Sequence, residues 1–262
     1  MQYRTTDIHP MLEAGLEIKI PNPVCITETS STYPVKEDVW ANWAPFAYRA
    51  FQKCSSPNIR SFAAIGSSVG ADAIGALYAF KNLHTIVATD IDRKILQAIQ
   101  ENVQRHAKDK TVITRAGSLC QPLRDLNMTV DLMYENLPNI PDSSDNLHQG
   151  YKRASRFDAG SFGISQSEIK AYLLESHLAF LVEARTSLNP GGSVICSIGG
   201  RVPYDILHSV FDKASYCVEE LVAGFKVQTE PEEVLPGYAE AEKNGVQFDF
   251  YEYYESEKLL KE

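Results

Sequence analysis

Glycine, serine and aspartate residues between positions 60 and 102 have the types and spacing needed to hold a polar ligand. An apolar run at 61–65 (SFAAI) leads into a glycine turn at 66–70 (GSSVG), and a second apolar run at 85–89 (TIVAT) leads into Asp90 and Asp92. Glycine permits a tight turn close to a ligand, and the next helix begins with unpaired N–H groups. An acidic side chain about 20 residues after the turn can accept hydrogen bonds from both ribose hydroxyls. We therefore predict a nucleotide-binding βαβ unit in which Asp90 binds the ribose.

A purely structural role is the alternative for this region. Gly66 and Gly70 then only shape a strand-to-helix turn, and Asp90 caps the helix that begins near Arg93. A second polar loop, at 136–139 (NLPN), directly follows the predicted fourth strand. In open α/β sheets this loop faces the ligand crevice, although asparagines beside a proline also make local turn bonds.

Alternating strand and helix patterns place these loops on a common scaffold. Strands are predicted at 62–65, 86–89, 112–115, 130–134 and 193–198, and helices at 71–80, 93–106 and 168–188. Such alternation indicates a parallel sheet. A turn at 189–192 (NPGG) should end the long helix, and two late segments, 219–228 and 248–254, resemble strands. Residues 1–35 lack a long periodic pattern and 38–52 suits an aromatic-rich helix, which together indicate a lid or an oligomer arm.

Composition and charge narrow the class of protein. The chain has 262 residues, 44% of them hydrophobic, which is enough for one large α/β domain. Its formal net charge of −9 repels phosphate backbones, so we expect no nucleic acid partner. Five scattered cysteines without a C-x-x-C pair indicate neither a zinc site nor a disulfide framework. The sequence lacks an apolar run suited to a membrane span or signal peptide, so we expect a cytoplasmic protein without membrane contact.

The glycine turn departs from the dinucleotide fingerprint G-x-G-x-x-G and resembles the first motif of class I S-adenosylmethionine-dependent methyltransferases. That family has a G-x-G-x-G core and an acidic residue after the second strand. Ser68 replaces the middle glycine, and Ala64 stands where the family often has an acidic residue. The resemblance implies S-adenosylmethionine as cofactor and an α/β fold with a doubly wound, mostly parallel, Rossmann-like sheet of seven strands at 56–262, closed by the two late segments, after an N-terminal lid at 1–55. It also implies these cofactor-binding residues: Gly66, Ser67, Ser68, Gly70, Asp90, Ile91, Ser118, Leu119 and Asn136.

The 136–139 loop resembles the N-P-P-Y motif of methyltransferases that modify amide or amino nitrogens, with Leu137 and Asn139 as departures. Four other segments are similar to methionine S-methyltransferases: 34–40 (PVKEDVW), 157–163 (FDAGSFG), 198–201 (IGGR) and 239–244 (AEAEKN). These resemblances imply Asn136, Asn139 and Tyr134 as catalytic residues. They imply the following substrate-binding residues: Trp40, Pro138, Tyr151, Arg156 and Phe157.

Three functions remain as hypotheses. The first is methyl transfer to a small amino-acid-like substrate, either to methionine sulfur, which as a neutral thioether needs no base, or to a side-chain nitrogen. The second is intramolecular cyclisation of S-adenosylmethionine to azetidine-2-carboxylate and methylthioadenosine. The third is a non-catalytic cofactor-binding module. Arg156 and Arg201 are candidates to bind a substrate carboxylate, with a surface ion pair as the alternative for each, and a homodimer is left open.

Overall fold

The computed structural model describes residues 4–30, 32, 34–54, 58–141, 167–228, 231–252, 254–255 and 258. These residues form two compact units, one from residues of 1–136 and 183–197 and the other from residues of 137–182 and 198–262. The first unit contains the predicted cofactor-binding residues. The second contains Asn139 and Arg201.

A pair of antiparallel strands opens the first unit. Its elements are β1 (Arg4–Asp7), α1 (His9–Leu16) and β2 (Cys25–Glu28). The buried Asn102 amide binds β2: its Oδ1 accepts from Thr27 N–H at 2.7 Å, and its Nδ2 donates to the Thr27 carbonyl at 2.9 Å. The same Nδ2 donates to the Val69 carbonyl at 2.9 Å. One side chain therefore joins the N-terminal strand pair to the glycine turn.

A five-stranded parallel sheet forms the centre of the first unit. Its strands are β3 (Ser61–Ile65), β4 (Thr85–Asp90), β5 (Thr111–Ala116), β6 (Val130–Glu135) and β7 (Leu188–Cys196). They lie in the order β5-β4-β3-β6-β7, and each neighbouring pair is parallel. Most residues of β3 and β4 are buried on both faces, as near-continuous apolar runs in a covered parallel sheet must be. The predicted α/β fold with a parallel sheet is confirmed.

Helices separate the parallel strands along the chain. They are α2 (Ala44–Lys53), which precedes β3, then α3 (Ala71–Ala79), α4 (Leu96–Ala107) and α5 (Gln121–Asp125). Phe51 of α2 packs edge-on against Phe62 and Tyr134, with ring centroids 5.5 and 5.1 Å away. Aromatic side chains prefer such T-shaped contacts. This cluster fixes α2 against β3 and β6.

The second unit has its own aromatic core. Its helices are α6 (Ser167–Ala171), most of α7 (Glu175–Ala184), α8 (Tyr204–Lys213) and α9 (Pro231–Glu242). Tyr238 of α9 lies 4.8 Å from Phe248 and 5.2 Å from Phe250, measured between ring centroids. Among the described residues of both units, no helix has the length and apolar character needed to cross a membrane.

Several sequence-based predictions differ from the structure. The single helix predicted at 168–188 is two helices, because Leu173 adopts a left-handed conformation with φ 61° between α6 and α7. The predicted turn at 189–192 lies within β7, whose pairing with β6 shifts register between Val130 and Leu132. An irregular register accommodates Pro190, which has no N–H to donate.

The seven-stranded sheet is not confirmed, since five strands pair in it within the described ranges. The described parts of 219–228 and 248–254 form no strands. Only Phe248 is buried among them, so these segments lack the buried face that stabilises a half-covered strand. The N-terminal lid stays a prediction.

Candidate cofactor site

The predicted cofactor residues lie at one edge of the parallel sheet. Strand pairing places Ile65 beside Thr89 and Glu135, and it places Asp90 beside Ala116. The loops that follow β3, β4, β5 and β6 therefore begin at the same level. The strand order reverses between β3 and β6, and ligands of open α/β sheets bind outside the carboxyl ends of the strands at such a switch point.

The glycine turn between β3 and α3 has three residues in the left-handed region. Gly66, Ser68 and Gly70 have φ values of 73°, 50° and 82°. Serine tolerates this region less well than glycine, so Ser68 carries backbone strain that Gly66 and Gly70 avoid. A Cβ on Gly70 would lie 2.8 Å from Val103 Cγ2, so glycine is also required there by packing.

Ser67 fixes the turn from inside the protein. Its side chain is buried, its Oγ donates to the Ala64 carbonyl at 3.0 Å, and its N–H donates to the Thr89 carbonyl at 2.8 Å. Both hydrogen-bond donors of Ser67, its hydroxyl and its N–H, are therefore bonded to backbone carbonyls. Ser67 therefore shapes the turn and is not available in this arrangement to contact a cofactor through its hydroxyl proton.

Asp90 is held by the backbone on both sides of its carboxylate. Its Oδ2 accepts from Ser68 N–H and its Oδ1 accepts from Asp92 N–H, each at 3.0 Å. Burial raises the pKa of Asp90 above its ordinary value, while the two N–H groups oppose that rise. A carboxylate has about four acceptor sites, so a ribose could still bind the remaining ones. A hydrogen bond thus joins the glycine turn directly to Asp90.

Ile91, Ser118 and Leu119 flank Asp90. Ile91 is a large apolar side chain that is 67% exposed, and it directly follows Asp90. The Gly117 N–H donates to the Asp90 carbonyl at 3.0 Å, which brings the segment containing Ser118 beside the end of β4. Leu119 is buried, with φ 47°. An exposed apolar side chain beside a polar loop is suited to one face of a purine ring.

Two of the predicted catalytic residues, Tyr134 and Asn136, differ in their burial. Tyr134 is buried against Phe51, and the side chain of Ser197 interacts with its hydroxyl. Burial raises the pKa of the Tyr134 phenol well above its ordinary value. Asn136 is partly exposed at the end of β6 in the first unit. Tyr134 and Asn136 therefore belong to the same sheet edge as the glycine turn.

Asn139 and Pro138 belong to the second unit, where Asn139 is part of a polar cluster. The Asn139 Oδ1 accepts from Arg201 Nη2 at 3.0 Å, and its carbonyl accepts from the Tyr238 hydroxyl at 3.0 Å. Arg201 also donates to Gln228 Oε1 at 3.2 Å and lies 5.0 Å above the Tyr238 ring centroid. Within the described chain, neutral amides are the hydrogen-bond acceptors of this guanidinium. Its charge remains able to attract a carboxylate.

The predicted substrate residues are only partly described. Trp40 is 46% exposed and contacts Phe46 edge-on, with centroids 5.8 Å apart. Its role in binding stays a prediction. Tyr151, Arg156 and Phe157 lie outside the described residues.

The sequence analysis did not single out two acidic residues near the sheet edge, Asp72 and Glu135. Asp72 follows the glycine turn in the first turn of α3, and burial raises its pKa to about 7. Glu135, the last residue of β6, is fully buried and lies opposite Cys196 in the sheet. Burial raises the pKa of the Cys196 thiol, and the charge of Glu135 raises it further. An acidic residue within the otherwise apolar α3 sequence ADAIGALYA was the available signal for Asp72.

Comparisons with known proteins concern the fold. No protein-family model matches the sequence, and no curated protein is significantly similar to it. A ribosomal protein L11 methylase from Lactobacillus delbrueckii subsp. bulgaricus is 16% identical with a TM-score of 0.47, over 70% of this chain and 72% of that chain. A precorrin-6y C5,15-methyltransferase from Geobacter metallireducens GS-15 is 14% identical with a TM-score of 0.42, over 74% and 79%. A SAM-dependent methyltransferase from Agrobacterium tumefaciens is 11% identical with a TM-score of 0.43, over 73% and 55%.

Proposed function

We propose that this chain is an S-adenosylmethionine-dependent transferase that acts on a small amino-acid-like substrate. The observation that carries the proposal is the bond between Ser68 N–H and the Asp90 carboxylate at the switch point of a parallel sheet. It joins a glycine turn to an acidic residue after the second strand of the sheet. Adenosine-containing ligands need this combination.

The residues at the sheet edge fit such a cofactor. Asp90 would bind the ribose hydroxyls with its remaining acceptor sites, and Ile91 would cover one face of the adenine. Gly66 and Gly70 let the backbone approach the ligand closely because neither has a Cβ. Ser118 would accept a hydrogen bond from the adenine amino group. The turn of 66–70 would thereby orient the amino-acid end of the cofactor.

Methyl transfer to sulfur is the preferred reaction. The acceptor's sulfur lone pair forms a bond to the methyl carbon while the bond from that carbon to the cofactor sulfur breaks. No proton is transferred, so the protein needs to position the two reactants in line and to exclude water. We assign that positioning to Tyr134 and Asn136. For a side-chain nitrogen as acceptor, a base would also have to remove a proton.

Asp72 favours a second candidate, the cyclisation of the cofactor. An α-ammonium must lose its proton before its nitrogen can attack the γ-carbon and displace methylthioadenosine. A carboxylate whose pKa is raised to about 7 is suited to accept that proton near neutral pH. Asp72 lies in the first turn of α3, directly after the glycine turn.

A product assay separates these functions. Purified protein is incubated with S-adenosylmethionine, with and without methionine, and products are identified by mass spectrometry. Adenosylhomocysteine formed only with an acceptor supports methyl transfer, and methylthioadenosine formed without one supports cyclisation. Neither product together with measurable cofactor affinity indicates a binding module. Absence of any affinity for the cofactor would reject the proposed function.

A further inference from the structure

The ladder between β1 and β2 determines which backbone groups of this two-stranded ribbon face outward. Just beyond β1, the Ile8 N–H donates to the Val24 carbonyl at 2.9 Å. Hydrogen-bonded pairs of an antiparallel ladder recur at every second residue, so Thr6 also faces β2. Thr5 and Asp7 alternate with these pairs. Their backbone N–H and C=O groups therefore point away from β2.

The outer edge of β2 is closed by side chains of α4. The Asn102 amide binds both backbone groups of Thr27. The Cys25 carbonyl accepts from Arg105 Nη1 at 3.0 Å and from His106 Nε2 at 3.1 Å. Thr27 and Cys25 lie opposite the outward-facing residues of β1, so the alternation holds on both strands. On this side, α4 satisfies the backbone groups that the ladder leaves unpaired.

The outer edge of β1 is open. Within the described residues, the backbone groups of Thr5 and Asp7 have no partner on that side, and both residues are exposed. A groove of about 280 Å³ adjoins this edge, lined by all of β1, by the beginning of α1 and by residues of the segment 36–39. An unpaired strand edge beside a groove is a template for a further strand.

Charge favours a second copy of this chain as the source of that strand. The groove has two basic residues, Arg4 and Lys36, and two acidic ones, Asp7 and Glu37, so its formal charges cancel. The whole chain has a net charge of −9, so two copies repel each other less where two neutral grooves meet. The strand β1 is basic at its first residue and acidic at its last. Antiparallel pairing therefore places the basic end of each copy beside the acidic end of the other.

We propose that β1 pairs antiparallel with β1 of a second copy, about a two-fold axis at Thr6, so that two ribbons join into one four-stranded sheet. Thr5 of each copy then lies opposite Asp7 of the other, and the residues of each such pair exchange two hydrogen bonds. The same surface serves both copies, as the contact of a symmetric dimer requires. The inference is independent of the proposed function, because the ribbon is separate from the parallel sheet.

The proposed contact is small, because β1 has four residues. Small interfaces are typical of weak complexes, so we expect dimers to form at micromolar rather than nanomolar concentrations.

Analytical ultracentrifugation of the full chain over a range of concentrations tests the pairing. The variant Thr5→Pro removes the outward N–H, and proline is tolerated on an edge strand where that N–H faces solvent. The matched control, Thr5→Val, keeps the N–H and the β-branched shape. Neither change removes a hydrogen bond to β2, because the backbone of Thr5 faces away from it. Thermal melts confirm that each variant is folded.

We expect Thr5→Pro to raise the dissociation constant of the dimer about tenfold or more, because symmetry removes the donor from both copies. Thr5→Val should change it less than about threefold. Hydrogen–deuterium exchange locates the contact in the wild-type protein. The Asp7 amide should exchange more slowly as the dimer forms, whereas the Thr6 amide, which already faces β2, should change less.

A second variant, Arg4→Glu, tests the charge argument without altering the backbone. It makes the groove acidic, so the dimer should weaken, and added salt should partly restore it. The exposed Arg115, changed to glutamate, is the charge-matched control outside the groove. An equal effect of both substitutions would show that net charge alone opposes association.

Three results would overturn the proposed dimer. The first is wild-type protein that stays monomeric up to about 1 mM. The second is a dimer whose Asp7 amide exchanges as in the monomer, or whose affinity is unchanged in both Thr5→Pro and Arg4→Glu, since another surface then forms the contact. The third is a monomer whose Asp7 amide is already protected, because the groove is then filled from within the same chain.

Discussion

At the scale of single residues, two aspartates of the first unit, Asp90 and Asp72, differ in their hydrogen bonding. Asp90 is engaged by two backbone N–H groups, whereas Asp72 has no bonded partner within the described residues. Burial raises the pKa of both, but only in Asp90 do hydrogen bonds counteract that rise. Asp90 is therefore organised before a ligand arrives.

Replacing Asp90 with alanine should weaken adenosylhomocysteine binding at least tenfold. The change removes the acceptor for ribose and leaves the N–H groups of Ser68 and Asp92 without their partner. Calorimetry measures the affinity, with Asp109→Ala as the control. Unchanged affinity in a folded Asp90→Ala protein would remove Asp90 from the site.

Replacing Asp72 with asparagine should stabilise the ligand-free protein at pH 8. The folded-state pKa of about 7 lies above the ordinary value of 3.8, so the folded protein prefers the protonated carboxyl. That stabilisation is complete below about pH 4 and is lost as the pH rises through 7. We expect a gain on the order of 2 kcal/mol at pH 8 that disappears towards pH 4. Chemical unfolding at several pH values measures it, and a pH-independent difference would contradict the assignment.

At the scale of elements, the turn between β3 and α3 determines the geometry of the site. Its positive φ values were foreseeable at Gly66 and Gly70, but Ser68 shows that the second glycine of the family motif is not required for this backbone path. The bond from Ser68 N–H to Asp90 is formed because the serine adopts φ 50°. This hydrogen bond therefore holds the glycine turn against the end of β4.

Gly70→Ala should reduce stability more than Gly191→Ala. Both glycines have φ near 80°, but an added Cβ meets Val103 at 2.8 Å at position 70 and nothing within 4 Å at position 191. Positive φ costs alanine about 1 kcal/mol at either site, and the contact should add about 1–3 kcal/mol at Gly70. Denaturant unfolding measures both free energies. Equal losses would show that Val103 moves aside freely.

At the scale of the whole molecule, the second unit contains a guanidinium whose hydrogen-bond acceptors among the described residues are neutral amides. Arg201 is held by Asn139 and Gln228 and stacks over Tyr238. A Cβ on Gly199 would lie 2.6 Å from Arg201 Nη2, so a larger residue there would displace the guanidinium. We predict that this guanidinium binds a substrate carboxylate. An acidic chain with net charge −9 needs such a local cation to bind an anionic group.

Arg201→Ala should raise the KM for the acceptor about tenfold or more and change kcat less. The loss corresponds to a charge-assisted hydrogen bond, about 1.5–3 kcal/mol, in ground state and transition state alike. Steady-state kinetics with saturating S-adenosylmethionine measures both constants. Arg115→Ala is the control, since that exposed arginine bonds only to its neighbouring Thr114 carbonyl in the described structure. A fall in kcat with unchanged KM would contradict carboxylate binding.

Most of the sheet could be predicted from the sequence, and so could the position of the glycine turn and Asp90 at its edge. The strands β3 to β6 have strong apolar patterns, and glycine with aspartate at fixed spacing marks the turn and Asp90. The break at Leu173 could not be predicted, because a left-handed leucine has no local sequence signal. The raised pKa of Asp72 could not be predicted, because it depends on burial of α3 by α2, which holds Tyr48 against the start of α3. Long-range packing, unlike periodicity, is not visible in one sequence.

The Asn102 amide has a dynamic consequence for the N-terminal strands. It bonds both to the backbone of Thr27 and to Val69 in the glycine turn. Opening of the β1–β2 ribbon must break bonds that also anchor the glycine turn, which we propose contacts the cofactor. Ligand binding should therefore slow hydrogen–deuterium exchange at the Thr27 amide, although β2 pairs in a separate two-stranded sheet. Exchange at the Thr27 amide would then change when the cofactor binds at the sheet edge.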